Sequence, residues 1–557
     1  MISLGISVGH DMGAVLIKDG EIVVGISEER LTRLKSYGAY LHQLPELSMK
    51  YCIESSGIPF EEIDRFVYST TELPDDYSEE FQRITGLDGD RLEFMPHHLA
   101  HAYSTFYSSG FEDAAVLVVD ASGSEVAPNS KANEWFPEKD PNELPEQVRW
   151  AEAVTIYHFV NGVYTECYKK WIKLSDLGYK GGGVSVGIMY GTGAMHLVYE
   201  PDKHNWQAGK LMGLASYADK DFVSSFPDFV EFLDNDVFIP FGEIPSDGIN
   251  YTSDFQSKAN IAGIYQREQE RLLMYFTGKA REHVDSENLC VAGGSFLNCN
   301  SNELIEKSDL FKNKYYLPSS DDSGIPLGCA WFGQTQDGVL EKGKYLKPYL
   351  GKTYSGEEIT KAFFESNIPG IEFQEYTDWD ELVDYISDKL INNKVIAWFQ
   401  DGSETGPRAL GNRSILANPT SKWVERYINA EIKNREWYRP FAPSVLEEFR
   451  KDIFELDCFS PYMLITTKVK EEWRDKIPGV THIDNTSRYQ SVTREMNEKY
   501  HSLISKFYDK TGIPLLLNTS FNGKGEPVVE TPYDAINSFY RNNIHILVVN
   551  NIVIQRR

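Results

Sequence analysis

Residues 4–27, LGISVGHDMGAVLIKDGEIVVGIS, decide the fold. Apolar, β-rich runs at Leu4–Val8, Ala14–Lys18 and Glu21–Ser27 are broken by Gly9–Gly13 and by Asp19-Gly20, and glycine supplies the backbone freedom of tight turns. The spacing predicts strand, turn, strand, turn, strand. Working outward, a second apolar run at Ala114–Val119 ends in Asp120-Ala121-Ser122-Gly123, and a third at Leu289–Ala292 ends in Gly293-Gly294-Ser295. Helices are predicted over Leu44–Ser55, His97–Tyr107 and Ile261–Val284, the last with Ile264, Leu272, Tyr275, Phe276 and Ala280 as its apolar positions. Strands alternating with helices, with glycine turns at strand ends, indicate a layered α/β fold.

Farther along, 338–353 is rich in Gly and Lys and reads as a linker. A second α/β unit begins near Ile371, with a helix over Trp379–Ile391 and strands at Val395–Phe399 and Pro514–Leu517. The Pro-, Asn- and charge-rich stretch Glu125–Gln147 reads as a surface insertion.

The chain has 557 residues, enough for two or more domains with sizeable cores, and 41% of them are hydrophobic. No stretch approaches the roughly 20 apolar residues of a spanning helix. Met1-Ile2-Ser3-Leu4-Gly5 has neither the basic region nor the apolar core of a signal peptide, so a cytoplasmic protein is the expectation. The six cysteines are dispersed and none are spaced C-x-x-C, which argues against a disulfide framework and a zinc ribbon. With 83 acidic and 55 basic side chains the net charge is −28, which repels nucleic acid and anionic membrane. Neither is expected as a partner.

Three clusters carry chemistry. In Pro96-His97-His98-Leu99-Ala100-His101, His97 and His101 stand four apart, so on a helix both imidazoles face one way and can share a metal. Such a pair is commonly structural, but Asp120 follows a buried strand and Asp321-Asp322-Ser323-Gly324 adds an acidic turn. Two histidines with two carboxylates suit a divalent transition metal, iron or zinc before magnesium. The second cluster is a set of glycine turns: Gly9-His10-Asp11-Met12-Gly13, Asp120–Gly123, Tyr190-Gly191-Thr192-Gly193 and Ala292-Gly293-Gly294. Glycine lets backbone N–H groups approach phosphate. Repeated across long α/β stretches, such turns suggest the duplicated phosphate-clamping core of the actin, Hsp70 and sugar-kinase superfamily. Gly191, Gly193, Gly293, Gly294 and Asn298 are the expected nucleotide contacts.

The third cluster lies in residues 405–440, where seven basic side chains (Arg408, Arg413, Lys422, Arg426, Lys433, Arg435 and Arg439) face three acidic ones, a local +4 in an acidic chain. Arginine forks match phosphate and carboxylate oxygens in pairs, so this reads as an anion pocket, against the alternative of a solvated helix face. Arg488, Ser520 and Asn522 are candidates to join it.

These strings resemble the NodU/CmcH carbamoyltransferase family. The likeness runs nearly end to end, through Gly9-His10-Asp11, Ser27-Glu28-Glu29-Arg30-Leu31-Thr32-Arg33, His97–His101, Gly209–Ala215, GPRALGNRS from Gly406, Lys433–Pro443 and Leu517–Asn522. The resemblance implies a duplicated actin-like (ASKHA) domain over 1–345, a linker over 346–370 and a YrdC-like α/β domain over 371–557. It implies that the second domain makes carbamoyl adenylate from carbamoyl phosphate and ATP, and that the first binds this intermediate through a metal and passes the carbamoyl group to a hydroxyl of a small molecule. Metal ligands would be His97, His101, Asp120 and Asp322, with Asp321 a rival for the last. The expected ion is iron, with Mg accompanying ATP. His10 would be the base, or else a turn residue bonding backbone. Lys433, Arg439, Arg488 and Ser520 would hold carbamoyl phosphate, supported by Arg408, Arg435 and Asn522. A homodimer is left open. The rivals are an actin-like ATPase or kinase, which leaves the basic pocket unexplained, and a tRNA-threonylcarbamoylating enzyme, which the charge disfavours.

Overall fold

The computed structural model describes all residues except 38–41, 72–75, 127–133, 137–148, 178–181, 200–206, 234–235, 241–248, 251, 337 and 339–344. The chain forms two compact units. One comprises Met1–Glu28 and Ser36–Leu346, the other Glu29–Lys35 and Lys347–Arg557.

In the first unit, strands β1 (Ile2–Val8), β2 (Gly13–Lys18), β3 (Glu21–Ser27), β4 (Arg65–Thr70) and β5 (Leu92–Phe94) form a sheet ordered β3-β2-β1-β4-β5. Strand β2 runs antiparallel to β1 and β3, while β4 and β5 are parallel to β1. The second sheet repeats this wiring with β6 (Asp113–Val119) at its centre. The short β7 (Glu125–Val126) prolongs the β6 side of the long hairpin β8 (Trp150–Val160) and β9 (Val163–Lys173). Strand β8 is antiparallel to β6. Three small strands, β10 (Gly182–Gly183), β11 (Glu231–Leu233) and β12 (Asp236–Pro240), form a separate sheet. Then β13 (Asn288–Ala292) and β14 (Asn313–Tyr316) add parallel strands on the other side of β6. The order β9-β8-β6-β13-β14 matches β3-β2-β1-β4-β5 in sequence and direction, so the unit is a duplicated, actin-like α/β fold. The run Ala114–Val119 is wholly buried, as suits a central strand covered on both faces.

The second unit is built on one eight-stranded sheet. Its strands are β15 (Ile371–Glu375), β16 (Ile396–Phe399), β17 (Arg413–Ala417), β18 (Ala442–Leu446), β21 (Gln490–Val492), β22 (Leu515–Ser520), β23 (Ile546–Val549) and β24 (Ile552–Arg556). They are ordered β15-β24-β23-β16-β17-β22-β18-β21, with β19 (Thr466–Lys468) and β20 (Thr486–Arg488) paired apart. Strand periodicity sends alternate residues to opposite faces. Ala397, Phe399, Leu515 and Leu517 pack in one core with the helices Gly356–Ser366 and Pro532–Arg541. Ile396, Trp398 and Leu516 pack in the other, under Trp379–Ile391 and Glu498–Thr511.

The structure revises the sequence reading in places. The linker expected over 346–370 holds the helix Gly356–Ser366, begun by a reciprocal cap in which Ser355 Oγ accepts from Glu358 N at 3.2 Å and Glu358 Oε2 accepts from Ser355 N at 2.8 Å. Ile359 and Ala362 of this helix are core residues. Residues 339–344 of the Gly- and Lys-rich stretch, and 127–133 and 137–147 of the insertion, lie outside the described residues. Among the described residues, no helix is long and apolar enough to cross a membrane.

Candidate functional site

The helix His97–Ser109 begins immediately after Pro96, and its i,i+4 spacing brings the His97 and His101 rings to 4.7 Å between centroids. Asp120 ends the central strand β6. Asp322 opens the tight turn that leads into the helix Ile325–Thr335. The fold thereby gathers four groups. His97 Nε2 lies 3.4 Å from Asp120 Oδ2 and 3.3 Å from Asp322 Oδ1, and His101 Nε2 lies 3.5 Å from each. All four ligand atoms fall within 4.8 Å of one another.

Both histidines are buried, and none of their four ring nitrogens makes a hydrogen bond among the described residues. Leaving buried polar atoms without partners is costly. With four N···O separations of 3.3–3.5 Å and all four ligand atoms within 4.8 Å of one another, one cation could touch every donor. The residues fit a divalent ion bound by two nitrogens and two oxygens. Burial opposes charge on His97, but Asp322 and Asp120 outweigh it and lift the ring to about 10. Burial likewise opposes charge on Asp120, but His101 and His97 hold it well below the usual carboxylate range. Asp321 is not in the group. Its carboxyl accepts from the Ser323 hydroxyl, and burial, with Asp11 and Asp322 nearby, raises it to about 7.

His10 sits on the turn between β1 and β2, where Gly9 and Asp11 take φ of 97° and 51°. A non-glycine residue in this region stores backbone strain, which is common at functional turns. His10 Nδ1 is 2.8 Å from Asp11 Oδ2, so Nε2 is the nitrogen left for an acceptor. Asp11 is the main cause of a rise to about 10, and Asp322 and Asp321 add to it. A base must be neutral to accept a proton, whereas this pairing favours the protonated ring.

The glycine turns divide. After β13, Gly293 adopts φ 98°, and a Cβ there would lie 2.3 Å from the Val119 carbonyl oxygen. Gly294 N–H donates to Asp120 Oδ1 at 3.2 Å, which ties this turn to the ligand group. Asn298 caps the next helix by accepting from Ser301 N and donates to Gln266 and Gln269, so its amide is engaged inside the protein. Gly191 and Gly193 do not form a turn. Both lie within the helix Val186–Val198, where Gly193 packs on the ring of Tyr265. A Gly-x-Gly string reads as a turn from sequence, but the capped helix overrides it: Ser185 Oγ accepts from Ile188 N.

In the second unit, Lys433 is buried and its ammonium donates to Ser520 O (2.5 Å), Ser520 Oγ (3.2 Å), Asn522 O (3.0 Å) and Asn522 Oδ1 (2.7 Å). Burial first, then the fields of Arg435, Lys35 and Arg439, hold Lys433 well below the usual lysine value. Burial also depresses Arg435, with Arg439 and Arg488 acting the same way, and depresses Arg439. Arg488 Nε is a buried donor without a hydrogen-bond partner among the described residues. Such crowding of cations disfavours their charge until an anion enters. Arg435 is held by Asn429 Oδ1 at 2.7 Å and lies over the Phe441 ring. Arg408 is partly exposed on the loop that follows Gly406. Arg413, counted in the basic run, is consumed inside the protein. It lies 3.5 Å from the Phe399 ring centroid and donates to the carbonyls of Gln400, Asp401 and Asn412.

Three residues that brace this region, Glu404, Arg30 and Arg33, were not among the expected site residues. The buried Glu404 carboxylate accepts the N–H groups of Leu410 (2.8 Å), Asn412 (2.7 Å) and Arg413 (3.0 Å), wrapping the GPRALGNRS loop around one anion. Arg30, packed with the second unit, donates to Gly406 O at 3.1 Å, while Arg33 donates to Val528 O and Pro527 O. The S-E-E-R-L-T-R string was the available signal.

A family model described as the carbamoyltransferase N-terminus matches residues 2–84 and 77–331, and one described as the carbamoyltransferase C-terminus matches 387–556. The nodulation protein NolNO of Sinorhizobium fredii is 30% identical over 606 residues, spanning 98% of this chain and 79% of its own. An uncharacterized protein of Synechocystis sp., sll1178, is 30% identical over 648 residues, spanning 99% and 96%. Nodulation protein U of Bradyrhizobium diazoefficiens is 36% identical over 243 residues, 43% of this chain and 40% of its own. Among solved structures, HypF of T. kodakarensis is similar over 60% of this chain and 47% of its own, with 13% identity and a TM-score of 0.38. Matched in both its halves, the chain belongs to the NodU/CmcH carbamoyltransferase family.

Proposed function

We propose that the protein is an ATP- and carbamoyl phosphate-dependent O-carbamoyltransferase. On this reading the second unit acts as a YrdC-like domain in which water frees carbamate and inorganic phosphate from carbamoyl phosphate and the carbamate oxygen displaces pyrophosphate from ATP to give carbamoyl adenylate. The actin-like unit then transfers the carbamoyl group to a hydroxyl of a small molecule with AMP leaving. One observation carries it: the ligand atoms of His97, His101, Asp120 and Asp322 lie within 4.8 Å of one another in the same actin-like unit that holds the His10–Asp11 pair.

Each residue then has a task. Arg439, Arg488 and Arg408 supply positive charge to phosphate oxygens, and Arg435 is braced by Asn429 for the same purpose. Lys433 sets Ser520 and Asn522 by holding four of their oxygens. A carbamoyl carbon is deactivated by its nitrogen, so neutral alcohols attack it poorly, and adenylation supplies a better leaving group. His10 takes the acceptor's proton on Nε2 while Asp11 fixes the ring through Nδ1. His97, His101, Asp120 and Asp322 would hold a divalent cation, iron in our reading, and such an ion would supply Lewis-acid stabilisation of phosphate charge in the transfer step. The Gly293-Gly294 turn, tied to Asp120 through the Gly294 N–H, would meet the nucleotide beside the cation. The test is nucleotide product analysis: with ATP, Mg, carbamoyl phosphate and an acceptor the reading expects AMP and pyrophosphate, and ADP as the product, as for a kinase, would overturn it.

A further inference from the structure

Behind the ligand group lies a buried ion pair that the transfer chemistry leaves unused. Glu152 on β8 is fully buried, and Lys169 on the adjacent β9 brings its ammonium to 3.0 Å from it. Lys169 is also 2.6 Å from Glu166 and lies over the Phe136 and Trp171 rings at 4.4 and 5.2 Å. The other oxygen of the same carboxylate, Glu152 Oε2, accepts the N–H of His98 at 3.2 Å and that of Ser124 at 3.1 Å. Ser124 Oγ then accepts the N–H of His97 at 2.8 Å.

These bonds join two segments that carry three of the four ligands. His97 and His98 open the helix that also bears His101, and their N–H groups are among those a helix leaves unpaired in its first turn. Ser124 stands on the turn that follows Asp120. The backbone reinforces the junction, for Gly123 N–H donates to Glu152 O at 2.7 Å. A fully buried carboxylate is costly unless its charge is paired and its oxygens are hydrogen-bonded. Lys169 supplies the first condition and the two amides the second.

We propose that Glu152 is a positioning residue that sets the spacing between the histidine ligands and Asp120, with Ser124 relaying its hold to His97 and Lys169 compensating its charge. The inference rests on the reading of the four-residue group as a metal site. Groups that hydrogen-bond the segments carrying metal ligands, without touching the metal, typically change affinity about ten- to a hundredfold when removed.

The experiment titrates Co²⁺ into metal-free full-length protein and follows both affinity and the d–d absorption, which reports ligand geometry. The melting temperature of each metal-free variant is measured in parallel. Glu152→Ala is expected to bind Co²⁺ about ten- to a hundredfold more weakly, with shifted bands. Glu152→Gln, which keeps an oxygen for the amides, is expected to fall between it and the native protein. Ser124→Ala leaves the ion pair intact, is expected to show the same band shift with a smaller loss, and decides the matter if Glu152→Ala does not fold. Native affinity and native bands in Glu152→Ala, or in Ser124→Ala where that variant decides, would overturn the proposal even if melting fell. Failure of the native protein itself to bind Co²⁺ would overturn the metal reading, and this inference with it.

Discussion

Arg30 donates through its guanidinium to the carbonyl oxygen of Gly406 at 3.1 Å, linking positions 376 apart in sequence within one compact unit. Gly406 has φ 81° and begins the loop that carries Arg408. A hydrogen bond from a charged donor is worth about 1.5–3 kcal/mol, and a small misplacement of a binding group costs more than its contact. Arg30→Ala should therefore slow carbamoyl phosphate-dependent pyrophosphate release by an order of ten- to a hundredfold, and a native rate would show that the loop holds itself.

Glu404 makes a second prediction from the same loop. Its carboxylate receives three backbone N–H groups, and Glu404→Ala leaves those donors unsatisfied in the interior. Each such loss costs about 1–3 kcal/mol, so the melting temperature should fall by several degrees and pyrophosphate release should fail. Binding of carbamoyl phosphate with native affinity by the folded variant would contradict the role given to this loop.

His10→Ala should spare adenylate formation and lower transfer by about 10²–10⁴-fold, the range of general-base catalysis. A native yield of carbamoylated product would remove His10 from the mechanism.

The pH dependence follows from the His10–Asp11 pair. His10 is raised from 6.5 to about 10, so the proton-stabilised pair contributes to folding in full below about 6.5 and loses that contribution as pH rises through about 10. A base must be deprotonated, so transfer should increase with pH through the alkaline range. Asp11→Asn removes the main cause of the rise and should move the limb of the pH–rate profile toward neutral pH. An unmoved limb would mean that another group sets it.

His101→Ala or Asp322→Asn should bring bound divalent metal, measured by elemental analysis, well below that of the native chain. Transfer should be lost with it, while pyrophosphate release persists. Full metal occupancy in both variants would place the ion elsewhere.

Much of this was legible in the sequence because it depends on short-range pattern. The all-apolar Ala114–Val119 could only be a buried strand, and the four-residue spacing of His97 and His101 defines a helix face. The duplication was suggested by glycine turns, though only some of them are turns: Gly191 and Gly193 belong to a helix started by the Ser185 cap. Ser355 and Glu358 show the reverse: their reciprocal capping signature starts a helix inside the span expected to be linker. Local charge counting grouped Arg413 with the anion pocket, yet its guanidinium is spent on Phe399 and three carbonyls. Glu404, Arg30 and Glu152 act through partners fixed by tertiary packing, and a period of two or 3.6 residues carries no trace of such partners.

The central claim is that the basic pocket activates a carbamoyl donor as an adenylate. Its most direct measurement is exchange of labelled pyrophosphate into ATP, run without acceptor and with or without carbamoyl phosphate. The account predicts exchange that requires carbamoyl phosphate and disappears in Arg439→Ala and Arg488→Ala. Exchange that ignores carbamoyl phosphate, or no exchange by the native protein, would contradict it.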